Sequence, residues 1–485
     1  MLYKTSKYNL IALIFILFIL CIFISTYICW PGSKNKYLIF SISFSLLLYF
    51  SLKRRPSVGY VFLAVVLWIG FWLKLSIHIL DPKLPWMEPT GLFNFSNQAW
   101  DEVALVSSIG AFAVLISGFF FPALSGKLKP GVIYKNSINN VQSILWMVGL
   151  CIVLFLVIFN EGFDIAHQAV PPPVLNLPFH LQGLINWGLG GGVFLLLMIP
   201  LYSDAISGNL VRGVGLIVIA ALAISISLFS RGSVVFQSLT ILIPFFVYSV
   251  FLFRPSVNQV LKCAVIIILG VSLSVVLSQS RRVAFFASVQ SSPAQSSPTL
   301  SSPTKSSAAS TFLNFDSYSL FLILKLPIER WIGLEGVMAM SAHPKKDFEL
   351  LIRAINEPRL IGALDMYTHE IALSPVKDIT KATYATPPSL FAFWYYSGNL
   401  FIVFIGVVFL TILLLGAEYI TMLFSKNPFL SSAVGMQGAI QIVHIGTGGL
   451  FIPALIFIVT LIVAILIGGF SQCRVFKIRV NDVYR

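Results

Sequence analysis

Four arginines are spaced so that they could converge on an anion. Arg231 stands in Ser230-Arg231-Gly232-Ser233, a turn joining two apolar stretches with almost no loop. A guanidinium there can hold phosphate oxygens bidentately, while free N–H groups opening the next helix point the same way. Arg281 and Arg282 stand where a later apolar stretch ends, and Arg330 opens the run Arg330-Trp331-Ile332-Gly333-Leu334-Glu335-Gly336. Such a set suggests a grip on phosphate or diphosphate. The plainer alternative is arginines that snorkel at a lipid interface.

Group transfer to a hydroxyl also needs a base. Glu335 is the leading candidate, because flanking glycines and apolar residues would desolvate it and raise its pKa. His369, beside Glu370, comes second, and His343, Asp365, His167 and His180 complete the field. Glu335 could equally be half of a structural Arg–Glu pair. Aromatic rings can stack on sugar C–H faces, and Trp331, Tyr384, Trp394 and Tyr395 cluster near these groups with Phe391, Phe393 and Tyr396. The same rings would also serve as an interfacial aromatic belt. Asp101-Glu102 is a further acidic pair, placed at a helix start where carboxylates are favoured anyway.

The elements that must position these groups are membrane helices. Mean hydropathy is +0.90. Of the 485 residues, 57% are hydrophobic and 10% charged. Apolar runs lie at about 10–30, 37–52, 58–80, 102–124, 141–160, 182–203, 213–230, 233–253, 261–279, 389–415, 429–446 and 448–470. That predicts an all-α, polytopic fold of about twelve helices, each near the ~20 residues needed to cross a bilayer. The run at 429–446 is the weakest, being short and carrying Gln437, Gln441 and His444. The first run is too long for a signal-peptide core and reads as a retained helix.

Charge sets the orientation. Lys53, Arg54 and Arg55, then Lys127, Lys129 and Lys135, then Arg474, Lys477, Arg479 and Arg485 fall in alternate connections and the tail. The positive-inside rule puts them, and both termini, in the cytoplasm. The acidic connections 81–101 and 161–181 then lie outside, with the long segment that follows Gln279. That segment holds about a third of the Lys and Arg and half of the Asp and Glu. The net charge of +14 is explained by this pattern rather than by nucleic-acid binding. The five cysteines sit in or beside the spans and offer neither a disulfide framework nor a metal spacing.

The expected organisation is a nine-helix bundle over 1–279, a disordered Ser/Pro linker over 280–310, a helical cap over 311–388, helices ten to twelve over 389–470, and a basic tail over 471–485. The linker contains the repeat SSPAQ-SSPTL-SSPTK, which cannot bury a core. In the cap, Phe348, Leu351, Ile352 and Ile355 recur at helical spacing opposite Asp347, Glu349, Arg353 and Glu357, predicting an amphipathic helix. Gly188, Gly190, Gly191 and Gly192 follow a Trp within a span and are read as allowing close helix packing.

The Ser-Arg-Gly-Ser turn, the single large outer segment and the aromatic re-entry TPPSLFAFWYYSGNLFIVFIGVVFL together resemble the bacterial O-antigen polymerase and ligase families. The resemblance covers the architecture from about 210 to 470. It implies transfer of a glycan from an undecaprenyl-diphosphate carrier on the periplasmic face of the bacterial inner membrane, without cofactor or metal. Arg231 would hold the diphosphate, and Arg281, Arg282 and Arg330 match by region. The implied partners are the lipid-linked oligosaccharide, membrane lipids and a chain-length regulator protein. The ligases' loop histidine has no clear counterpart, which favours a polymerase. Two other classes remain open. A transporter or flippase would suit twelve spans but commonly carries an internal repeat, and none is evident. A membrane acyltransferase would need a histidine within a span, where His78 and His444 are the candidates.

Overall fold

A computed structural model describes residues 2–86, 88–121, 138–163, 165–166, 181–230, 232–248, 256–291, 333–358, 365–374, 387–446 and 449–483. At 2–13, 15, 138–141, 279, 282–291 and 470–483 only the helical backbone is described. Every regular element among these residues is helical. In chain order they are α1 (Leu2–Cys29), α2 (Lys34–Arg54), α3 (Val58–Leu67) running through a π segment (Trp68–Leu73) into α4 (Lys74–Leu80), α5 (Asn97–Ser117) and α6 (Ile138–Phe163). Next come α7 (Leu181–Trp187), which passes through a second π segment (Gly188–Gly192) into α8 (Val193–Ser207), then α9 (Leu210–Ser227), α10 (Gly232–Tyr248) and α11 (Val257–Ser291). The long segment contributes α12 (Leu334–Ala342), α13 (Phe348–Ile355) and a π turn (Tyr367–Ile371). The chain re-enters with α14 (Leu390–Tyr395), α15 (Leu400–Ser425), α16 (Pro428–Val443) and α17 (Phe451–Val483).

Nine helices among the described residues are long and apolar enough to cross a membrane, and shorter apolar helices occupy Ile16–Cys29 and Gly232–Tyr248. The weakest predicted span forms α16, whose sixteen residues fall short of a full crossing. Its role is central. Phe429, Leu430, Ala433 and Val434 belong to one apolar core, and Met436, Ala439, Ile442 and Val443 to the other. Where a helix is enclosed by protein, Gln437 and Gln441 need not face lipid. Gly59 and Gly435 let α3 and α16 touch, since a Cβ on Gly59 would stand 2.5 Å from the Gly435 carbonyl oxygen. Large apolar side chains turn outward instead on the peripheral helices, such as Phe155 and Ile158 on α6, Ile268 and Val276 on α11, and Phe409 and Phe424 on α15. An apolar exterior around a packed interior is what a lipid solvent selects.

Contacts between distant connections sort the bundle into two ends. At one, Arg55 donates to the Phe246 carbonyl and Arg54 to that of Phe119. At the other, the Ser33 N–H donates to Asp101, and Lys346 from the long segment reaches Glu102 at 2.6 Å. We call these the basic end and the loop end. Capping fixes where helices begin: Ser57, Ser96, Asp347, Asn399 and Asn427 each accept from an N–H of the first turn.

Three expectations change. Helix α11 does not stop at 279 but continues to Ser291, so residues 280–291 are helical where linker was expected; 292–310 lie outside the described residues. The expected span 389–415 is two helices, broken where Gly398 (φ 65°) and the Asn399 cap turn the chain. The expected cap is, in its described parts, woven into the bundle. Every residue from Leu334 to Ser341 is buried, and Val337, Met338 and Met340 belong to the same apolar core as Phe71 and Phe391. Gly336 makes this seating feasible, since a Cβ there would meet the Pro388 carbonyl oxygen at 1.6 Å. Helix α13 is amphipathic with a shifted face: Leu350, Leu351 and Ala354 point inward, while Phe348 and Ile352 are exposed.

Candidate functional site

The loop end gathers most of the candidate chemistry. Arg281, on the last described turn of α11 with side chains, is held by Glu161 of α6 in a two-pronged pair, 2.8 and 2.6 Å. Its guanidinium lies over the Phe229 ring, 5.2 Å from the centroid. Phe229 has left-handed backbone (φ 54°) and leads into the Ser-Arg-Gly-Ser turn. That turn is anchored from below: the Ser225 hydroxyl bonds the Ser230 carbonyl at 2.6 Å and meets the Ser274 hydroxyl of α11 at 2.6 Å. Ser278, one turn below Arg281, is buried with no partner for its hydroxyl among the described residues. Asn160 completes this polar floor by bonding Ser227 and the Ala166 N–H. Phe229, the ring beneath Arg281, is two residues before Arg231 in sequence, just ahead of α10. Arg231 and Arg330 lie outside the described residues, as do Trp331, Tyr384, His167 and His180; Arg282 is described only as helical backbone.

Elsewhere, α6, α7, α8 and α17 line an open apolar groove of about 320 Å³. Its walls are Ile152, Leu156, Leu184, Trp187, Leu196 and Val463, together with Gly188, Gly192 and Val193 of the π segment and the start of α8. Leu156 is one helical turn before Asn160 on α6. The Gly190 carbonyl accepts from Gln437 at 3.2 Å, so the glutamine that weakened the α16 signal supports the π segment.

Glu335 lies elsewhere at this end. It is 2% exposed and forms an ion pair with Lys74 of α4, which is 0% exposed. This pair bonds the third span to the long segment. The Arg–Glu pairing with Arg330 that sequence proximity suggested lies outside the described residues. Lys74 went unnoticed in the sequence although its signal was there, a lone cation inside an apolar run. Two other buried acids in spans are likewise partnered. Asp204 takes Arg212 at 2.5 Å and the Trp146 indole at 2.9 Å; Glu418 accepts the N–H groups of Val58 and Gly59 at 2.6 and 2.9 Å.

His369 and Glu370 are exposed on the π turn, where Glu370 pairs with Arg353 of α13. His343 is tied locally, its Nδ1 donating to the Lys345 carbonyl 2.8 Å away. Tyr395 is not open to a sugar, because its phenol donates to Glu102 at 2.6 Å and Lys346 covers its ring. Burial first, and then the Glu102 carboxylate, push that phenol's pKa well up. Trp394 is half-buried against Gly406, and its indole N–H has no partner among the described residues. Asp101 and Glu102 act as ties, Asp101 to Ser33 and Lys36, Glu102 to Lys346 and Tyr395.

A second acidic group was not foreseen. Glu357, just after α13, accepts the Met366 N–H at 2.5 Å. Burial raises its pKa, and neighbouring Asp365 and Glu370 raise it further against the pull of Met366 and Arg353. Among the described residues no group of three His, Cys, Asp or Glu is placed to hold a metal ion. Compared with family models, with curated proteins and with solved structures, the chain matches none.

Proposed function

We propose that the protein polymerises oligosaccharide units carried on a polyprenyl diphosphate, transferring the glycan at the loop end of the bundle. In this reading the loop end faces the periplasm of a bacterial inner membrane, and both termini are cytoplasmic. The observation that carries it is the gathering of Arg281, Phe229 and the serine-anchored approach to the Ser-Arg-Gly-Ser turn at one place. An amphiphile bound here would offer its anionic head to Arg281, the opening N–H groups of α10 and the Ser278 hydroxyl, and the apolar groove between α6, α7, α8 and α17 is the place this reading gives its chain. Glu161 occupies that guanidinium now, and a diphosphate would take its place. Arg231 and Arg282 are the further arginines this reading assigns to the head group. The lipid-linked saccharide would then lie among α12, α13 and α14.

Surface-glycan chain length in cells carrying Arg231→Ala or Arg281→Ala tests this. Short, unpolymerised glycan is expected from both, with protein levels unchanged. Full-length polymer in both variants would end the proposal. Substrate uptake by the purified protein in liposomes would point instead to a transporter.

A further inference from the structure

Three helical segments meet at one carbonyl inside the bundle. Gly190, midway along the second π segment, accepts from Gln437 of α16 at 3.2 Å and from Gln237 of α10 at 3.5 Å. Four residues nearer the loop end, each segment carries another polar side chain on the same face: Asn186 on α7, Ser233 on α10 and Gln441 on α16. The chain sets this direction. Helices α7 and α10 start at the loop end, where Gln182 donates to the Ile165 carbonyl just past α6 and Ser225 holds the Ser230 carbonyl. Helix α16 ends there, where the Leu450 N–H bonds the Ile355 carbonyl of α13. Asn186 is exposed, Ser233 and Gln441 are half-buried, and none of the three side chains has a hydrogen-bond partner among the described residues.

The space before them is open. In α16, every residue but Gln437, Ile440 and Gln441 is buried, so a helix packed on its other sides keeps one stripe free. Unpartnered amides facing hydrocarbon would be costly. The close packing expected of the glycines holds for Gly191 and Gly192, which are pressed by Gln437 and Trp187. Gly190 is different: it is exposed, and among the described residues no atom lies within 4 Å of where a Cβ would stand. Gly188 and Gly192 line the apolar groove, and Gly190, half a turn from each, faces away from it. The π segment therefore has an apolar groove on one side and a polar crevice on the other. Since α7 begins at Leu181, the crevice reaches about 13 Å below the loop end.

We infer that Asn186, Ser233 and Gln441 line a saccharide-binding crevice floored by Gly190. Amides and a hydroxyl both donate and accept, as sugar hydroxyls do. The named side chains carry no charge, which disfavours a phosphate or an ammonium and selects a neutral, polyhydroxylated chain. The inference rests on the glycan reading above for the source of that chain. Joining two glycans needs room for both, and the crevice is a second place, apart from α12, α13 and α14.

The full-length protein in lipid nanodiscs can be treated with a charged, water-soluble thiol reagent, with wild type giving the background from its own cysteines. Gln441→Cys and Asn186→Cys should react about ten-fold faster than Ile268→Cys on the outward face of α11, since lipid excludes the reagent. Oligosaccharide released by mild acid from the carrier lipid of cells lacking the gene should slow both reactions. Gln441→Leu and Asn186→Leu should each raise the Kd for that oligosaccharide about ten-fold while keeping the thermal midpoint, because they remove groups without protein partners. Lowered midpoints with unchanged Kd would make these amides structural and overturn the inference. Labelling no faster than Ile268→Cys would show that no crevice is there, and labelling that saccharide never slows would leave water as its only occupant. If saccharide gives no protection while Arg231→Ala and Arg281→Ala cells make short glycan, the crevice fails and the polymerase reading stands. If it protects while those cells make full polymer, the polymerase reading fails and the crevice stands.

Discussion

Two ion pairs at the same end of this bundle join the same kinds of groups in opposite surroundings. Lys74 and Glu335 are closed off from solvent, whereas Arg281 and Glu161 are 41% and 31% exposed. A buried pair costs desolvation that its mutual attraction barely offsets, so neither partner can leave without stranding the other. An exposed pair is weak, and either member can exchange its partner for water or an incoming ion. The first pair suits holding a segment in place. The second suits binding. Both readings can be broken.

The largest effect should come from the buried pair. Glu335→Ala or Lys74→Ala alone should cost about 3–5 kcal/mol of stability, read as a lowered thermal midpoint of the purified protein. The double variant Lys74→Met with Glu335→Leu should recover most of that loss. If the single variants melt as wild type does, the pair is not what seats α12.

Arg281→Ala should change stability by about 1 kcal/mol or less while glycan length collapses. Glu161→Gln sharpens the same point, since it releases the guanidinium. It should tighten binding of a polyprenyl diphosphate and leave the melting temperature near wild type. Weaker binding in that variant would mean that Glu161 positions Arg281 rather than competing for it.

Glu357 lies between these extremes, half-buried and beside like charges. Its pKa is higher folded than unfolded, so the folded protein holds this proton more readily. Its contribution is then greatest at acid pH and is lost as pH rises through the raised folded value. Glu357→Gln should remove that loss, so wild type and variant should melt alike in acid and diverge toward neutral pH, with the variant more stable. A gap that widens toward acid would reverse the assignment. The smallest effect belongs to Phe348→Ser on the exposed face of α13. Away from packed contacts, a change within about 0.5 kcal/mol is expected, by the same melting measurement.

The spans were legible because lipid demands unbroken apolar runs, and the helices fall where those runs lie. Where polarity rises, the reading loses its ruler. The apolar run ends at Gln279, yet α11 continues to Ser291, since a helix need not stop where lipid contact stops. Helix α16 read as weak because its polar residues face protein, and enclosure leaves no amphipathic trace. Among site residues, Glu335 and Lys74 each stand out from apolar flanks, but their pairing does not, because a contact between a span and a distant segment leaves no local pattern. The Glu161–Arg281 pair was hidden for the same reason.

The π segment Trp68–Leu73 bears on how this span tolerates a shortened chain. A π turn bonds each N–H one residue further back than an α turn, so it takes up one extra residue without disturbing the helix on either side. Losing any one of its six residues would convert it to regular α-helix and leave α3 and Lys74 in phase. Losing one residue from Val58–Leu67 would rotate everything beyond it by about 100° and carry Lys74 away from Glu335. A scan of single-residue deletions should therefore find a narrow permissive window inside one of the most buried helices of the protein, bounded on both sides by positions where the same deletion is not tolerated.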